Sequence, residues 1–332
     1  MIRLCLLLLT LLFPGIALAD YGERDDVQAL IDELVAEGLD RERITDLLAS
    51  AERQEKILEA IARPAERTMT WAQYRRLFVQ EERIEQGVAF WREHRDWFEK
   101  AESEKGVPQE IILAIIGVET RYGRHKGNWR VIDALATLGF DYPPRATFFR
   151  GELKHLFMLE KEAGIDPMTI KGSYAGAMGY PQFISSSYRA YAVDFNGDGR
   201  IDLIDSPADA IGSVANYLKE HRWQPGQPIA ARARVEGQAY REIFDTDYRL
   251  NLTLAEVANK GAHPLSCDAG HRYCFDLPEN TRVAALELDG EQGAEFWITT
   301  NNFYAITRYN HSRLYAMAVY HLSRELAERI GD

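Results

Sequence analysis

Beyond residue 19 the sequence has no apolar run long enough to cross a bilayer, which takes about 20 consecutive apolar residues. Basic residues are also in deficit. There are 39 Lys and Arg against 51 Asp and Glu, a formal net charge of −12. That balance argues against nucleic acid as a partner, since phosphate backbones call for a basic face. Cysteine is scarce, with three residues in 332. Neither a CxxC pair nor zinc-type Cys/His spacing occurs, which excludes dithiol redox chemistry and a structural zinc site. No internal repeat or low-complexity tract is present, so a solenoid is excluded as well.

What is there begins with an export signal. Met1 to Ala19 carries one charge, Arg3, then a leucine-rich core, and ends in Ala17-Leu18-Ala19. This small-x-small ending predicts cleavage before Asp20. Cys5 leaves with the signal, and no cysteine follows the apolar core to take a lipid. The mature chain of about 313 residues is therefore predicted to be soluble, with no transmembrane anchor and a net charge of about −13 once Arg3 is gone. Cys267 and Cys274 remain, with six residues between them in "CDAGHRYC". In an exported chain they are predicted to form a disulfide, contributing about 2–3 kcal/mol by loop-closure reasoning.

The fold class reads as mainly α (α+β). Residues 20–106 read as a helical domain: Val27, Leu30, Ile31 and Leu34 fall at helical spacing, Asp40 is placed to cap a helix from Arg41, and Pro64 ends one near Ala62. Residues 107–224 read as a core of helices with loops dense in Gly, Ser and Tyr, and Pro108 fits a helix first turn. "QPGQPIA", Gln224 to Ala230, marks a boundary. Residues 225–300 read as a small β-rich module containing "RVAALELDG" and "EFWITT". Residues 301–332 read as a closing segment whose helix returns to the body.

The greasiest soluble stretch ends in an acid. In "AIIGVETRYG", Ala114 to Gly123, a helix puts Glu119 on one face with Ile112, Ile115 and Ile116. Burial of that face is expected to raise the carboxyl pKa. A glutamic acid still protonated near neutral pH can protonate a leaving glycosidic oxygen. Gly117 and Gly123 allow close backbone or ligand approach. The plain alternative is a helix-end glutamate with its head in water. A second stretch, "GSYAGAMGYPQF" from Gly172 to Phe183, has a thin backbone and sugar-binding side chains. Ser173, Tyr174, Gln182 and the nearby Tyr188 offer aromatic faces and hydrogen-bonding groups. A tight helix-packing loop is the alternative.

A third motif, "DFNGDGRIDLID" from Asp194 to Asp205, follows the calcium-loop pattern. Asp194, Asn196 and Asp198 supply side-chain oxygens, the Arg200 carbonyl fits the backbone position, and Gly199 takes the sharp turn. The usual closing glutamate is missing, and Asp205 stands there with a shorter reach. A metal-free Asx-turn is the alternative.

"GVETRYG", "SYAGAMGYPQF" and "RYNHSRLYAMAV", in this order, closely resemble the lytic murein transglycosylase B family. The resemblance covers nearly all of the mature chain. It implies a lysozyme-like core with an added helical domain and a small β domain. It implies cleavage of the β-1,4 bond between N-acetylmuramic acid and N-acetylglucosamine in peptidoglycan glycan strands, leaving a 1,6-anhydromuramoyl end. Glu119 matches the single acid/base, with the muramoyl N-acetyl group assisting and no cofactor in the chemistry. Ser173 and Gln182 match substrate contacts, Arg145 a basic groove residue and Tyr217 an aromatic of the cleft. Tyr309, Asn310 and Tyr315 match a cluster lining the site. The family's metal loop closes with a later aspartate, matching Asp209, around a structural Ca2+. Relatives often carry proline at Ser185, a departure expected to loosen that loop. The missing lipid cysteine argues for a soluble periplasmic member, with cell-wall synthesis or hydrolysis complexes as implied partners. Two other readings stay open: a hydrolytic muramidase on the same fold, and a non-catalytic glycan-binding scaffold.

Overall fold

The computed structural model describes residues 21–22, 24–62, 69–244 and 247–331. The signal segment lies outside the described residues. Six helices open the chain: α1 (Asp25–Ala36), α2 (Arg41–Ala49), α3 (Glu55–Ile61), α4 (Trp71–Phe78), α5 (Glu81–Glu93) and α6 (Arg95–Lys105). Their starts follow local chemistry. The Asp40 carboxylate accepts from the Arg43 amide at 2.8 Å, capping α2. Thr70 and Gln73 form a reciprocal capping box on α4. Val27, Leu30, Ile31 and Leu34 are all buried, as the spacing of α1 requires.

The next helix, α7 (Gln109–Thr120), is the axis of the molecule. Pro108 is its N-cap, one residue before the first turn, and every residue from Ile111 to Val118 is buried. Each of its fully buried aliphatic side chains is worth about 1.5–3 kcal/mol. It is wrapped by α5, α6, α11 (Pro207–Glu220) and the C-terminal α14 (Arg313–Ile330). Between them come α8 (Val131–Asp141), α9 (Ala146–Ala163) and α10 (Ser185–Tyr191). Two short strands, β1 (Trp129–Arg130) and β2 (Lys171–Gly172), pair antiparallel beside this core.

The β module is a five-stranded antiparallel sheet ordered β4-β6-β7-β3-β5. Its strands are β3 (Ala230–Val235), β4 (Leu252–Thr253), β5 (Ala262–Pro264), β6 (Arg282–Gly290) and β7 (Gly293–Thr299), with α12 (Leu254–Asn259) between β4 and β5. The run "VAALEL" in β6 is apolar nearly throughout because both faces are covered. Val283 and Ala285 join the module's own core with Val257, Phe275 and Ile298. Leu286 and Leu288 face the helical body with Trp297. The sheet hands over to α13 (Asn301–Tyr309), and α14 then packs on α7, α4 and α5.

Candidate functional site

The acid stands where α7 stops. Arg121 and Tyr122 follow it in left-handed conformation, at φ 54° and 60°, which turns the chain sharply out of the helix. Gly117 and Gly123 make room for side chains rather than for a ligand. A Cβ at Gly117 would lie 2.6 Å from the Tyr122 hydroxyl, and one at Gly123 would lie 2.1 Å from the Tyr180 ring. The Thr120 hydroxyl accepts from the Gly123 amide at 2.9 Å and lies 3.0 Å from the Tyr180 carbonyl. The helix end is thus bound to the loop that carries the second motif.

Glu119 is half-buried, and one of its partners comes from α14. The Tyr315 hydroxyl donates to Glu119 Oε1 at 2.6 Å, across 196 residues of chain. Ser312 caps α14 through the Tyr315 amide at 3.2 Å, which fixes where this first turn lies. Tyr309 stacks on Tyr315 with ring centroids 6.3 Å apart and planes 11° off parallel. Its own hydroxyl donates to the Pro181 carbonyl at 2.6 Å. Burial, then the nearby Glu119 charge, pushes both phenols well above their ordinary range, so they remain neutral donors.

A groove of about 660 Å³ opens beside this pair, lined by Arg145, Gln182, Tyr217, Tyr309 and Asn310 among others. Gln182 is held at φ 50° with its amide donating to the Gly179 carbonyl at 2.9 Å. The Tyr217 hydroxyl donates to the Arg308 carbonyl at 2.6 Å, and its ring stacks on His221 at 4.0 Å. The Arg145 guanidinium lies 4.4 Å from the Phe148 ring centre. Arg308, which also lines the groove, bonds the Tyr304 hydroxyl at 3.3 Å and His311 Nε2 at 2.7 Å. Among the described residues neither arginine has a carboxylate partner, and no Asp or Glu lines the groove.

The match of a family model for the transglycosylase SLT domain spans residues 22–324. Membrane-bound lytic murein transglycosylase B of Escherichia coli K12 is 40% identical over 318 residues, covering 93% of this chain and 84% of that protein. The soluble lytic transglycosylase SltB1 of Pseudomonas aeruginosa superposes with a TM-score of 0.86 at 44% identity, covering 92% of this chain and all of that one. The Escherichia coli lytic transglycosylase Slt35, solved in complex with calcium, gives 0.84 at 40% identity over 94% of this chain and 96% of that one.

The chain belongs to this transglycosylase family. Its lysozyme-like, mainly helical fold with a small sheet is the architecture expected from the sequence.

Not every residue singled out in the sequence reaches the groove of this transglycosylase. Ser173 builds its own turn, its hydroxyl accepting from the Ala175 and Ala177 amides at 3.3 and 3.1 Å. Tyr174 is exposed and is not part of the groove wall. Tyr188 is buried under the calcium-type loop, where its hydroxyl donates to the Ile201 carbonyl at 2.8 Å and accepts from the Leu203 amide at 3.2 Å. Burial pushes that phenol up to about 12. Ser185 is the fully buried first residue of α10, a helix position that proline also favours. Glu152 holds the next residue, accepting from the Ser186 amide at 2.9 Å and its hydroxyl at 2.8 Å. Arg308, His311 and Phe148 were missed, although the first two lie inside or beside "RYNHSRLYAMAV".

In the loop itself the oxygens of Asp194 accept from the Gly197, Asp198 and Gly199 amides at 2.7, 3.2 and 2.8 Å. Asn196 and Asp198 bond each other, Nδ2 to Oδ2 at 3.0 Å. Asp205 points elsewhere, 3.6 Å from Lys126. Asp209 is fully buried behind the loop and accepts three of its amides: Phe195 at 2.8 Å and Asn196 at 3.3 Å on Oδ1, Asp202 at 2.9 Å on Oδ2. Among the described residues no three acid, histidine or cysteine side chains converge on one metal position. The all-oxygen donor set nonetheless fits calcium chemistry. Three accepted bonds leave Asp209 one lone pair, on Oδ2. The predicted disulfide is formed between Cys267 and Cys274. Among the described residues no helix is long and apolar enough to cross a membrane.

Proposed function

We propose that this peptidoglycan lytic transglycosylase uses Glu119 as its only acid/base and leaves a 1,6-anhydromuramoyl end. The observation that carries the reading is the Tyr315–Glu119 hydrogen bond of 2.6 Å, set behind Tyr309 of a groove that no Asp or Glu lines among the described residues. A two-carboxylate glycosidase places its second acid about 5–9.5 Å from the first, across the scissile bond. Here the substrate supplies the missing parts. The Glu119 carboxylic acid protonates the oxygen leaving muramoyl C1. The N-acetyl carbonyl of the same sugar stabilises the positive C1. The Glu119 carboxylate then takes the proton of the C6 hydroxyl as O6 bonds to C1. No water is added, and the glutamic acid is regenerated. The attack is intramolecular, so proximity favours it over hydrolysis. Tyr315 fixes one carboxyl oxygen, Tyr309 and Tyr217 form aromatic floor, and Gln182, Asn310 and Arg145 address the sugar's polar edge. We assign Ser173 to shaping that loop.

The reading includes export through the N-terminal signal to the periplasm and work alongside cell-wall synthesis or hydrolysis complexes. It also includes a structural calcium ion held by Asp194, Asn196, Asp198, the Arg200 carbonyl and Asp209. The solved Slt35–calcium complex supports this. The site lies against α11, which carries Tyr217, so the ion would stiffen the cleft wall and take no part in the chemistry.

Mass spectrometry of fragments released from purified peptidoglycan tests the reaction. Products one water lighter than hydrolysed fragments, with no reducible end, are expected; reducible ends would make this a muramidase. Glu119→Gln is expected to lower kcat about 10²- to 10⁴-fold with glycan affinity retained. Undiminished cutting by that variant would remove Glu119 from its role.

A further inference from the structure

A second cavity, of about 350 Å³, lies where α4, α14 and the sheet meet, away from the catalytic groove. Trp71 and Arg75 come from α4, Trp297 from β7, Tyr273 from the disulfide loop and His321 from α14. Most of its charge is already matched. Arg232 pairs with Glu295 at 2.6 Å, Arg76 with Glu291 at 3.1 Å, and Arg272 with Glu325 and Glu328 at 2.9 and 3.1 Å. Arg75 is the exception. Among the described residues it has no carboxylate partner, and its Nε donates to His321 Nδ1 at 3.3 Å.

That bond settles the imidazole. A guanidinium only donates, so Nδ1 is the acceptor and the ring proton is on Nε2. The Tyr273 hydroxyl, 3.0 Å from the same nitrogen, shares its single lone pair with Arg75. His321 is 5% exposed, and its buried Nε2 has no hydrogen-bond partner among the described residues. Burial and the surrounding guanidiniums keep the ring neutral. The cavity therefore offers one guanidinium fork with no carboxylate partner among the described residues, beside a buried neutral imidazole.

We propose that this cavity binds the carboxylate end of a peptidoglycan peptide stem, with the terminal nitrogens of Arg75 forming the fork. A planar carboxylate matches a guanidinium in two parallel hydrogen bonds. One unmatched cation fits one negative charge, and Glu291 and Glu295 on the same wall disfavour a dianion such as phosphate. The half-buried Tyr273 ring, backed by the buried indoles of Trp71 and Trp297, is the apolar surface left for the aliphatic part of such a peptide. Tyr315 and His321 are six residues apart on α14, about 9 Å along the axis and about 240° around it. The cavity thus opens on a different face from Glu119. It holds the stem of a neighbouring strand rather than the one being cut, and so anchors the enzyme to the mesh. The choice of a peptide stem rests on the peptidoglycan reading above.

Isothermal titration of the mature chain with a free stem tetrapeptide, released from purified peptidoglycan, tests it. The peptide has no glycosidic bond, so binding is independent of the Glu119 assignment, which the cleavage assay tests separately. Binding is expected to weaken at least tenfold on amidation of the peptide carboxylates and in Arg75→Ala. Arg75→Lys is expected to lie between, and inorganic phosphate is expected not to compete. Arg145→Ala, in the catalytic groove, is expected to keep the Arg75-dependent binding. Absence of binding by folded parent protein, or equal binding of the amidated peptide, overturns the proposal. Equal competition by phosphate overturns the peptide assignment. If Arg75→Ala fails to fold, the amidated peptide and Arg75→Lys decide.

Discussion

The hydroxyl of Tyr315 reaches Glu119 at 2.6 Å, whereas that of Tyr309, one ring away, reaches only the Pro181 carbonyl at the same distance. Tyr315 is fully buried and Tyr309 half-buried on the groove wall, and they differ in what they hold. Tyr315→Phe keeps the ring and removes the hydroxyl that donates to Glu119 Oε1. A hydrogen bond to a charged group is worth about 1.5–3 kcal/mol, so kcat is expected to fall about 10- to 100-fold with little change in melting temperature. Tyr309→Phe is expected to lower kcat far less. Steady-state kinetics on peptidoglycan, with thermal unfolding as a control, compares them. Undiminished kcat in Tyr315→Phe would mean that this phenol acts through packing alone.

At the scale of elements, the end of α7 depends on a fit between helices. The Tyr122 ring fills the space over Gly117, and a methyl group there would sit 2.6 Å from its hydroxyl. Gly117→Ala is expected to cost about 1–3 kcal/mol by overpacking, visible as a lower melting temperature. An unchanged melting temperature would mean that the ring can step aside. The calcium-type loop makes a separate prediction. Asp209 bonds three loop amides, while Asp205 faces Lys126. In the parent, chelation is expected to lower the melting temperature and added calcium to restore it. Asp209→Asn is expected to abolish that response and Asp205→Asn to preserve it. The reverse pattern would move the closing ligand to Asp205.

For the whole molecule, burial sets the pH range of stability. Burial lowers His94, His221 and His321, with His321 displaced furthest. Their folded values lie below the unfolded one, near 6.5, so their contribution is present above that pH and is lost as pH falls. Tyr122, Tyr217, Tyr309 and Tyr315 are raised above about 10, mainly by burial, so theirs is present below that pH and is lost as pH rises. Burial of Glu110 and Asp133 raises their carboxyls and offsets part of the acid loss. Melting temperature against pH is therefore expected to form a plateau between about 7 and 9.5, falling on both sides. A melting temperature still rising below pH 6 would contradict it.

Much of this was legible in sequence where the cause is local. The Val27–Leu34 spacing gave α1, Asp40 its cap, and "RVAALELDG" became β6 residue for residue. The family resemblance supplied Tyr315 and Tyr309. What no local pattern carries is which way a side chain turns once helices pack. Tyr188 has the composition of a sugar-binding residue and instead supports the calcium-type loop, and the glycines around Glu119 house tyrosine rings. Arg308 was overlooked because its role comes from its position against α11, not from its neighbours in sequence.

The acid and the phenol that holds it are 196 residues apart, and the phenol belongs to the last helix. A copy still being made, or cut short before that helix, carries Glu119 without its orienting partner. An enzyme that cuts peptidoglycan thus has its acid oriented only once this helix has docked against α7.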